Sequence, residues 1–169
     1  MNKLKNQRGV GLLEVLIAVV VLSVGFLAAA KMQVQGMQYS QAAYFLSQAT
    51  FMVRDMTDRM RANRDGVLAG HYNNFTTNAG ATGPGCFNTA TKCTPQDIAQ
   101  HDVHAWSQYL YAPPNAVDFK PVLPSTDAIT ARGQIAYDAI TDVYTISVFW
   151  ADKTDVGIEE RELSVRLTP

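Results

Sequence analysis

Hydrophobic residues follow two different patterns in the first third of the chain. Residues 10–30 form an apolar run of twenty-one residues with one charge, Glu14, and this length is enough for a helix to cross a bilayer. In residues 31–64 the apolar positions recur every three or four residues, as on one face of an amphipathic helix: Phe45, Ala49, Met52, Met56 and Met60. The two patterns together predict one long helix over residues 10–64.

A shorter helix is predicted near the middle of the chain, after a polar, glycine-rich connection. Thr94, Pro95 and Asp97 have the order of an N-cap residue, a first-turn proline and a capping acid. Apolar residues then recur at helical spacing up to Leu110, and the helix is expected to end before Pro113 because the residue before a proline disfavours helical geometry.

Alternating apolar and polar positions in the last third predict β-strands. The strands are expected near residues 133–138, 143–150 and 159–167, with a turn over residues 152–157. Short connections favour antiparallel pairing, and the amphipathic half of the long helix can cover the apolar face of the sheet. The predicted fold class is therefore α+β, with a globular domain over residues 65–169.

Charge is distributed asymmetrically around the apolar run. The chain has a formal net charge of −1, and Lys3, Lys5 and Arg8 precede the run. Basic residues on this side keep the N-terminus in the cytoplasm, so everything after Lys31 is expected to lie on the outer side. Without these three residues the chain would carry 11 basic and 15 acidic residues, a charge of −4. No basic tract remains to suggest a nucleic-acid partner.

The charge within the apolar run predicts a function. A carboxylate in a membrane helix costs roughly 2.5–3.5 kcal/mol at the bilayer centre and less near an end, and such a charge suggests a partner. If the chain is cut after Gly9, the new α-amino group of Val10 is a candidate cation for Glu14. An ordinary secretory signal peptide and a plain signal anchor are the alternatives, although the run exceeds the usual 7–15 apolar residues of a signal peptide.

The basic leader, Gly9, Val10 and Glu14 together resemble the class III signal of type IV prepilins. The resemblance implies that residues 1–9 are a leader peptide, and that a prepilin peptidase cuts after Gly9 and N-methylates Val10. It also implies that Glu14 pairs with the N-terminus of a neighbouring subunit during assembly. Members of the family most often begin the mature chain with Phe or Met, so Val10 favours a minor over a major pilin.

A second resemblance lies at the end of the amphipathic segment. The sequence DMTDRMRAN, residues 55–63, is similar to the PilV-type minor pilins, also called type IV pilus modification proteins. Physical chemistry alone interprets the methionines as core residues and Asp55 with Arg59 as a solvated i,i+4 pair. The resemblance adds the type IV pilin fold, a long N-terminal helix packed on a C-terminal antiparallel sheet.

The resemblance to prepilins also implies a function, partners and a location. The function is incorporation into type IV pili or priming of their assembly, with adhesion or motility as the wider role; a type II secretion or competence pseudopilin is the alternative. The partners are the prepilin peptidase, other minor and major pilins, the pilus assembly machinery and the inner membrane. The chain would cross that membrane once, with its globular domain in the periplasm, and then enter the fibre at the cell surface.

Cys86 and Cys93 lie in a loop rich in Gly, Thr and Pro. Outside the cytosol an even number of cysteines favours a disulfide, and closing so small a ring contributes roughly 2–3 kcal/mol in the chain-entropy model. A metal site and two reduced thiols are the alternatives, but there is no further cysteine to complete a metal site.

No catalytic motif stands out in the sequence. A Ser/His/Asp set, a nucleophile elbow and HExxH are missing, so we expect no enzyme, cofactor or small-molecule substrate. His101 and His104 share one face of the predicted short helix, and solvated histidines explain them better than a metal site. A membrane-anchored periplasmic enzyme is therefore the less favoured class of function.

Overall fold

The computed structural model describes residues 11–84, 92–113, 116–154 and 156–169. The chain divides into two compact units, one ending at Gln41 and the other covering Ala42–Pro169. We call them the N-terminal unit and the C-terminal unit, and we describe each by itself.

One helix, α1, runs over Leu12–Ala62. Its apolar side chains in the N-terminal unit are exposed, from Leu12 to Leu27. The helix is long enough and apolar enough to cross a membrane, so the apolar run has the helical structure predicted for it. A helix that exposes apolar residues on all sides requires apolar surroundings, which are a membrane or a protein assembly.

The second half of α1 belongs to the core of the C-terminal unit. Its predicted stripe is confirmed: Ala49, Met52, Met56 and Met60 have no exposed surface, and Phe45 is half-buried against the same core. The long helix was predicted to reach residue 64, but α1 ends at Ala62 and Asn63 is the N-cap of another short helix, α2, at Arg64–Leu68. The chain therefore bends at Asn63 without leaving helical structure altogether.

Four strands form one antiparallel sheet in the order β1-β2-β3-β4. They are β1 at Phe75–Thr76, β2 at Arg132–Asp138, β3 at Val143–Thr154 and β4 at Gly157–Leu167. The predicted antiparallel pairing is confirmed. The turn predicted over residues 152–157 is shorter than predicted, because the ladder continues until Thr154 pairs with Gly157.

The inward face of the sheet lies in the same core as the methionines of α1. On β3 the predicted alternation is confirmed, with Tyr144, Ile146, Val148 and Trp150 all buried. On β4, which is an edge strand, Leu167 is buried but Val165 remains 40% exposed. The α+β fold class is confirmed, with a long N-terminal helix and a C-terminal antiparallel sheet.

The third helix, α3, runs over Pro95–Ser107 and begins with the predicted capping box of Thr94 and Asp97. Trp106 is fully buried near its end, and the indole Nε1 donates a hydrogen bond to the carbonyl oxygen of Met52 at 3.0 Å. Gly133 on β2 leaves room for this ring, since a Cβ there would lie 2.5 Å from it. This packing joins α1, α3 and the sheet.

Candidate functional site

Glu14 lies in the first turn of α1, and its backbone N–H donates to the carbonyl oxygen of Gly11 at 2.9 Å. The residue is exposed, and its neighbours Leu13 and Val15 are also exposed. Within the described residues no ion pair involves Glu14. A carboxylate near a helix N-terminus is favoured by the helix dipole. The apolar surface around Glu14, however, makes its charge costly in a membrane unless a partner neutralises it.

The predicted processing residues, Gly9 and Val10, lie outside the described residues. Cleavage after Gly9, methylation of Val10 and the pairing of its amine with Glu14 therefore remain predictions. Cys93, just before the capping box of α3, is disulfide-bonded. Its predicted partner, Cys86, also lies outside the described residues, so the pairing of these two cysteines stays a prediction.

A second group of polar residues lies where α1, α2 and α3 meet, and we call it the Arg59 network: Asp55, Arg59, Asn63, Tyr72 and Asp102. The Arg59 guanidinium donates to Asp55 Oδ2 at 2.9 Å and to Asp102 Oδ1 at 3.3 Å. Asp102 Oδ2 accepts from the Tyr72 hydroxyl at 2.6 Å. The network therefore ties α3 to α1 through charged hydrogen bonds.

Asn63 extends the Arg59 network to α2. Its side-chain oxygen accepts from the backbone N–H of Gly66 at 3.3 Å, and its Nδ2 donates to Tyr72 and to the carbonyl of Pro95. A single buried amide thus caps α2 and binds the first turn of α3. Gly66 is suited to this position, because a Cβ there would overlap the Asn63 side chain.

The interpretation of Asp55 with Arg59 as a solvated pair is wrong. The side chains of Asp55 and Arg59 are only 20% and 28% exposed, and Asp102 is 8% exposed. Within the same segment, Asp58 and Arg61 do form a solvated pair, at 3.5 Å with both side chains largely exposed. The segment DMTDRMRAN therefore contributes both core methionines and half-buried polar contacts from neighbouring positions on α1.

Burial and charge shift the pKa values within the Arg59 network. Burial alone would lower the pKa of Arg59, but hydrogen bonds and charges of Asp55 and Asp102 outweigh it and raise that pKa. Burial, together with the hydrogen bond to Asp102, raises the pKa of Tyr72 well above its usual range. The guanidinium thus stays charged and the phenol neutral, as the hydrogen-bond directions require. This arrangement stabilises the fold and offers no nucleophile to a substrate.

The two histidines of α3 do not form a metal site with other described residues. His104 Nδ1 lies 2.7 Å from the carbonyl oxygen of Ala81, and Nε2 lies 2.9 Å from the amide nitrogen of Gln108. No group of three or more His, Cys, Asp or Glu side chains suited to a metal occurs in the described ranges. His104 therefore has a structural contact, which joins α3 to the loop before it.

Comparisons with known proteins match two adjoining stretches of the chain. The prokaryotic N-terminal methylation motif matches residues 4–30, and the family described as Type IV pilin Tt1218 matches residues 31–104. No curated protein and no solved structure matches the chain significantly. The second match includes the Arg59 network, and the first includes Glu14 and the predicted cleavage site.

The two matches show that the chain is similar to a type IV pilin family over residues 31–104 and to the N-terminal methylation motif over residues 4–30. Its long N-terminal helix and antiparallel sheet are those of the type IV pilin fold, and a pilin is a structural protein rather than an enzyme. The methylation motif implies processing by a prepilin peptidase and association with other pilins. Together with the apolar half of α1, it also fits anchoring in the inner membrane.

Proposed function

We propose that this chain is a minor pilin of the PilV type that enters type IV pili or primes their assembly. The observation that carries the proposal is the exposed carboxylate of Glu14 in an exposed apolar helix, inside the match to the methylation motif. The resemblance of residues 55–63 to PilV-type pilins, and Val10 in place of Phe or Met, favour a minor pilin.

The physical role of the N-terminal unit follows from its surface. Before assembly the apolar half of α1 would lie in the inner membrane, and in the fibre it would pack against the equivalent helices of other subunits. In both places an uncompensated carboxylate costs several kcal/mol. The methylated amine of Val10 on an adjacent subunit would offset that cost and set the register between subunits.

The C-terminal unit would lie in the periplasm and then on the fibre surface. Its half-buried Arg59 network ties α3 to α1 and suits a stable module carried by the helix. A disulfide between Cys86 and Cys93 would restrain the loop before α3, as expected in an oxidising compartment.

The test is the distribution of Glu14 variants between the membrane and sheared pili. Glu14→Ala should leave cleavage after Gly9, the membrane level and the fold of the C-terminal unit unchanged, yet lower the amount in pili severalfold. Glu14→Gln should behave almost as badly, because it keeps the shape without the charge. Mass spectrometry of the same fractions should find a mature N-terminus at Val10 with one methyl group.

Glu159→Ala is the matched control, since Glu159 is an exposed glutamate in the C-terminal unit. This variant should enter pili at the wild-type ratio. If Glu14→Ala does the same, Glu14 has no part in assembly. If the wild-type protein is absent from pili and is found in a secretion or competence pseudopilus, the pseudopilin alternative is correct.

A further inference from the structure

A cavity of about 350 Å³ lies in the C-terminal unit, beside the end of α1, α2 and the end of β4. Its lining includes buried apolar residues, exposed arginines and residues 168–169: Met60, Val67 and Leu167 are buried, whereas Arg61, Arg64 and Arg166 are exposed. We call it the arginine pocket. Neither the Arg59 network nor Glu14 contributes to it.

The arginines of this pocket form few ion pairs within the described part of the chain. Arg61 forms only the solvated pair with Asp58, at 3.5 Å. Arg64 and Arg166 form no ion pair with any carboxylate in the part of the chain that the structure describes. By contrast, Arg132 and Arg161 each contact a carboxylate on the sheet, at 2.6 Å and 3.2 Å.

Two guanidinium groups without a described carboxylate partner, those of Arg64 and Arg166, and a third in a solvated pair, that of Arg61, surround this one cavity. Guanidinium groups bind oxyanions through paired hydrogen bonds, and carboxylates match this geometry. The buried apolar residues at the same cavity suit the methylene stem of an acidic side chain better than a hydrated inorganic ion. The volume lies at the lower end of the range for small-ligand sites, so it holds a side chain rather than a large ligand.

We propose that the arginine pocket binds an acidic side chain of a neighbouring pilin subunit. The identity of the partner rests on the proposed function. The binding of a carboxylate in the pocket is independent of the proposed function. Such a contact would join the C-terminal units of adjacent subunits, and it would act in addition to the pairing of Glu14 with an N-terminal amine. It would favour neighbours that present a carboxylate and disfavour those that present a cation.

The chemistry of the pocket is tested with glutarate, a dicarboxylate with a short methylene chain. The full-length protein in neutral detergent should gain about 2–4 °C in Tm with excess glutarate, compared with sodium chloride at the same ionic strength. The double variant Arg64→Gln/Arg166→Gln should lose this gain. Arg54→Gln should keep it, because Arg54 is an exposed arginine of α1 that does not line the pocket.

Two results would overturn the binding of carboxylates: no gain with glutarate, whether or not inorganic phosphate gives one, or an equal gain in the double variant. These results would not contradict the proposed function, because they are measured on purified protein and not on pili.

The identity of the partner is tested in cells by reversing the charge. Arg64→Glu/Arg166→Glu should lower the ratio of protein in sheared pili to protein in membranes about fivefold to tenfold. Arg64→Lys/Arg166→Lys should retain most of the wild-type ratio, and Arg54→Glu should match the wild type. An unchanged ratio for the reversed variant, or an equal loss for Arg54→Glu, would refute a neighbouring subunit as the occupant. Absence of the wild-type chain from pili would instead refute the proposed function.

Discussion

The two halves of α1 expose very different fractions of their apolar side chains. In the N-terminal unit Val20 and Leu22 are 62% and 59% exposed, whereas in the C-terminal unit Met52 and Met56 are completely buried. Both halves belong to one continuous helix. Helical structure therefore says nothing about the surroundings of each half, and the pattern of apolar positions distinguishes them.

The comparison separates two sources of stability. The second half of α1 has an apolar stripe with polar residues on its other faces, and its own sheet and α3 cover that stripe. The first half is apolar on all sides, so its cover has to come from other molecules. Substitutions in the second half should consequently affect folding of the isolated chain, and substitutions in the first half should affect its interactions.

The largest difference in the free energy of unfolding is expected from truncating one apolar residue in each half of α1. Met56→Ala should lower the free energy of unfolding by about 2–5 kcal/mol, because it removes buried contacts and leaves a cavity. Leu22→Ala should change it by less than about 0.5 kcal/mol, as its side chain touches little of the chain. Urea unfolding in detergent measures both, followed by the fluorescence of Trp106 and Trp150, which are buried in the C-terminal unit.

Equal losses for Met56→Ala and Leu22→Ala would show that the two halves of α1 unfold as one unit. The difference between the halves would then concern exposed surface alone and would not separate folding from assembly.

Much of the difference between the two halves of α1 can be predicted from the sequence, because it depends on patterns of residues that lie close together in the chain. The 3.6-residue period of the methionines indicates the buried stripe, and Thr94 with Asp97 indicates the start of α3. The alternation in β3 likewise identifies its buried face. Each of these signals depends only on residues close together in the chain.

Features that depend on distant residues could not be predicted in this way. β1 has two residues, and its structure depends on pairing with Gln134 and Ile135. β3 continues through polar residues to Thr154 because β4 pairs with it. Asp102 contacts Arg59 across 43 positions, and the only local sign of that contact is an aspartate away from the exposed face of α3.

A substitution in the Arg59 network tests whether the polar contacts of the second half of α1 also contribute to the free energy of unfolding. Asp102→Ala should cost about 2–3 kcal/mol, because it removes the buried acceptor of the Tyr72 hydroxyl and one of the two carboxylates that Arg59 contacts. Asp58→Ala is the control on the same segment, and it should cost less than about 0.5 kcal/mol since its pair with Arg61 is solvated. Similar values for the two variants would mean that water replaces Asp102 without loss.

Glycines offer a finer comparison between the two units. A Cβ at Gly133 would lie 2.5 Å from the Trp106 ring, whereas a Cβ at Gly36 in α1 would meet nothing within 4 Å. Gly133→Ala should therefore cost about 1–3 kcal/mol through overpacking. Gly36→Ala should stabilise the helix by about 1 kcal/mol or less, because alanine has the higher helix propensity.

Thermal unfolding by circular dichroism measures both glycine variants, and the shifts in Tm should have opposite signs. A fall in Tm for Gly36→Ala would show that α1 requires a glycine at this position for a reason other than space.

The smallest effect concerns two acids that occupy the same position in their helices. Glu14 and Asp97 both lie in a first turn, but Asp97 is hydrogen-bonded by Thr94. Hydrogen bonds from the Thr94 hydroxyl, at 2.7 Å, and from its backbone N–H, at 2.9 Å, hold the pKa of Asp97 below its usual value. Such a group stabilises the fold above its unfolded pKa of about 4, and the contribution disappears as the pH falls through its lower folded pKa.

Asp97→Asn should therefore be slightly less stable than the wild type at pH 6, and the difference should shrink as the pH falls below about 4. Urea unfolding of both proteins across this range measures it, and subtraction of the two curves cancels the titration of the other carboxylates. The matched Glu14→Gln variant should leave unfolding of the C-terminal unit unchanged, because Glu14 lies in the N-terminal unit and forms no ion pair within the described residues. Equal stability of the two proteins at every pH would mean that the amide caps α3 as well as the carboxylate does. The acid would then act through its shape alone, and charge would distinguish the two first turns only in the assembled fibre.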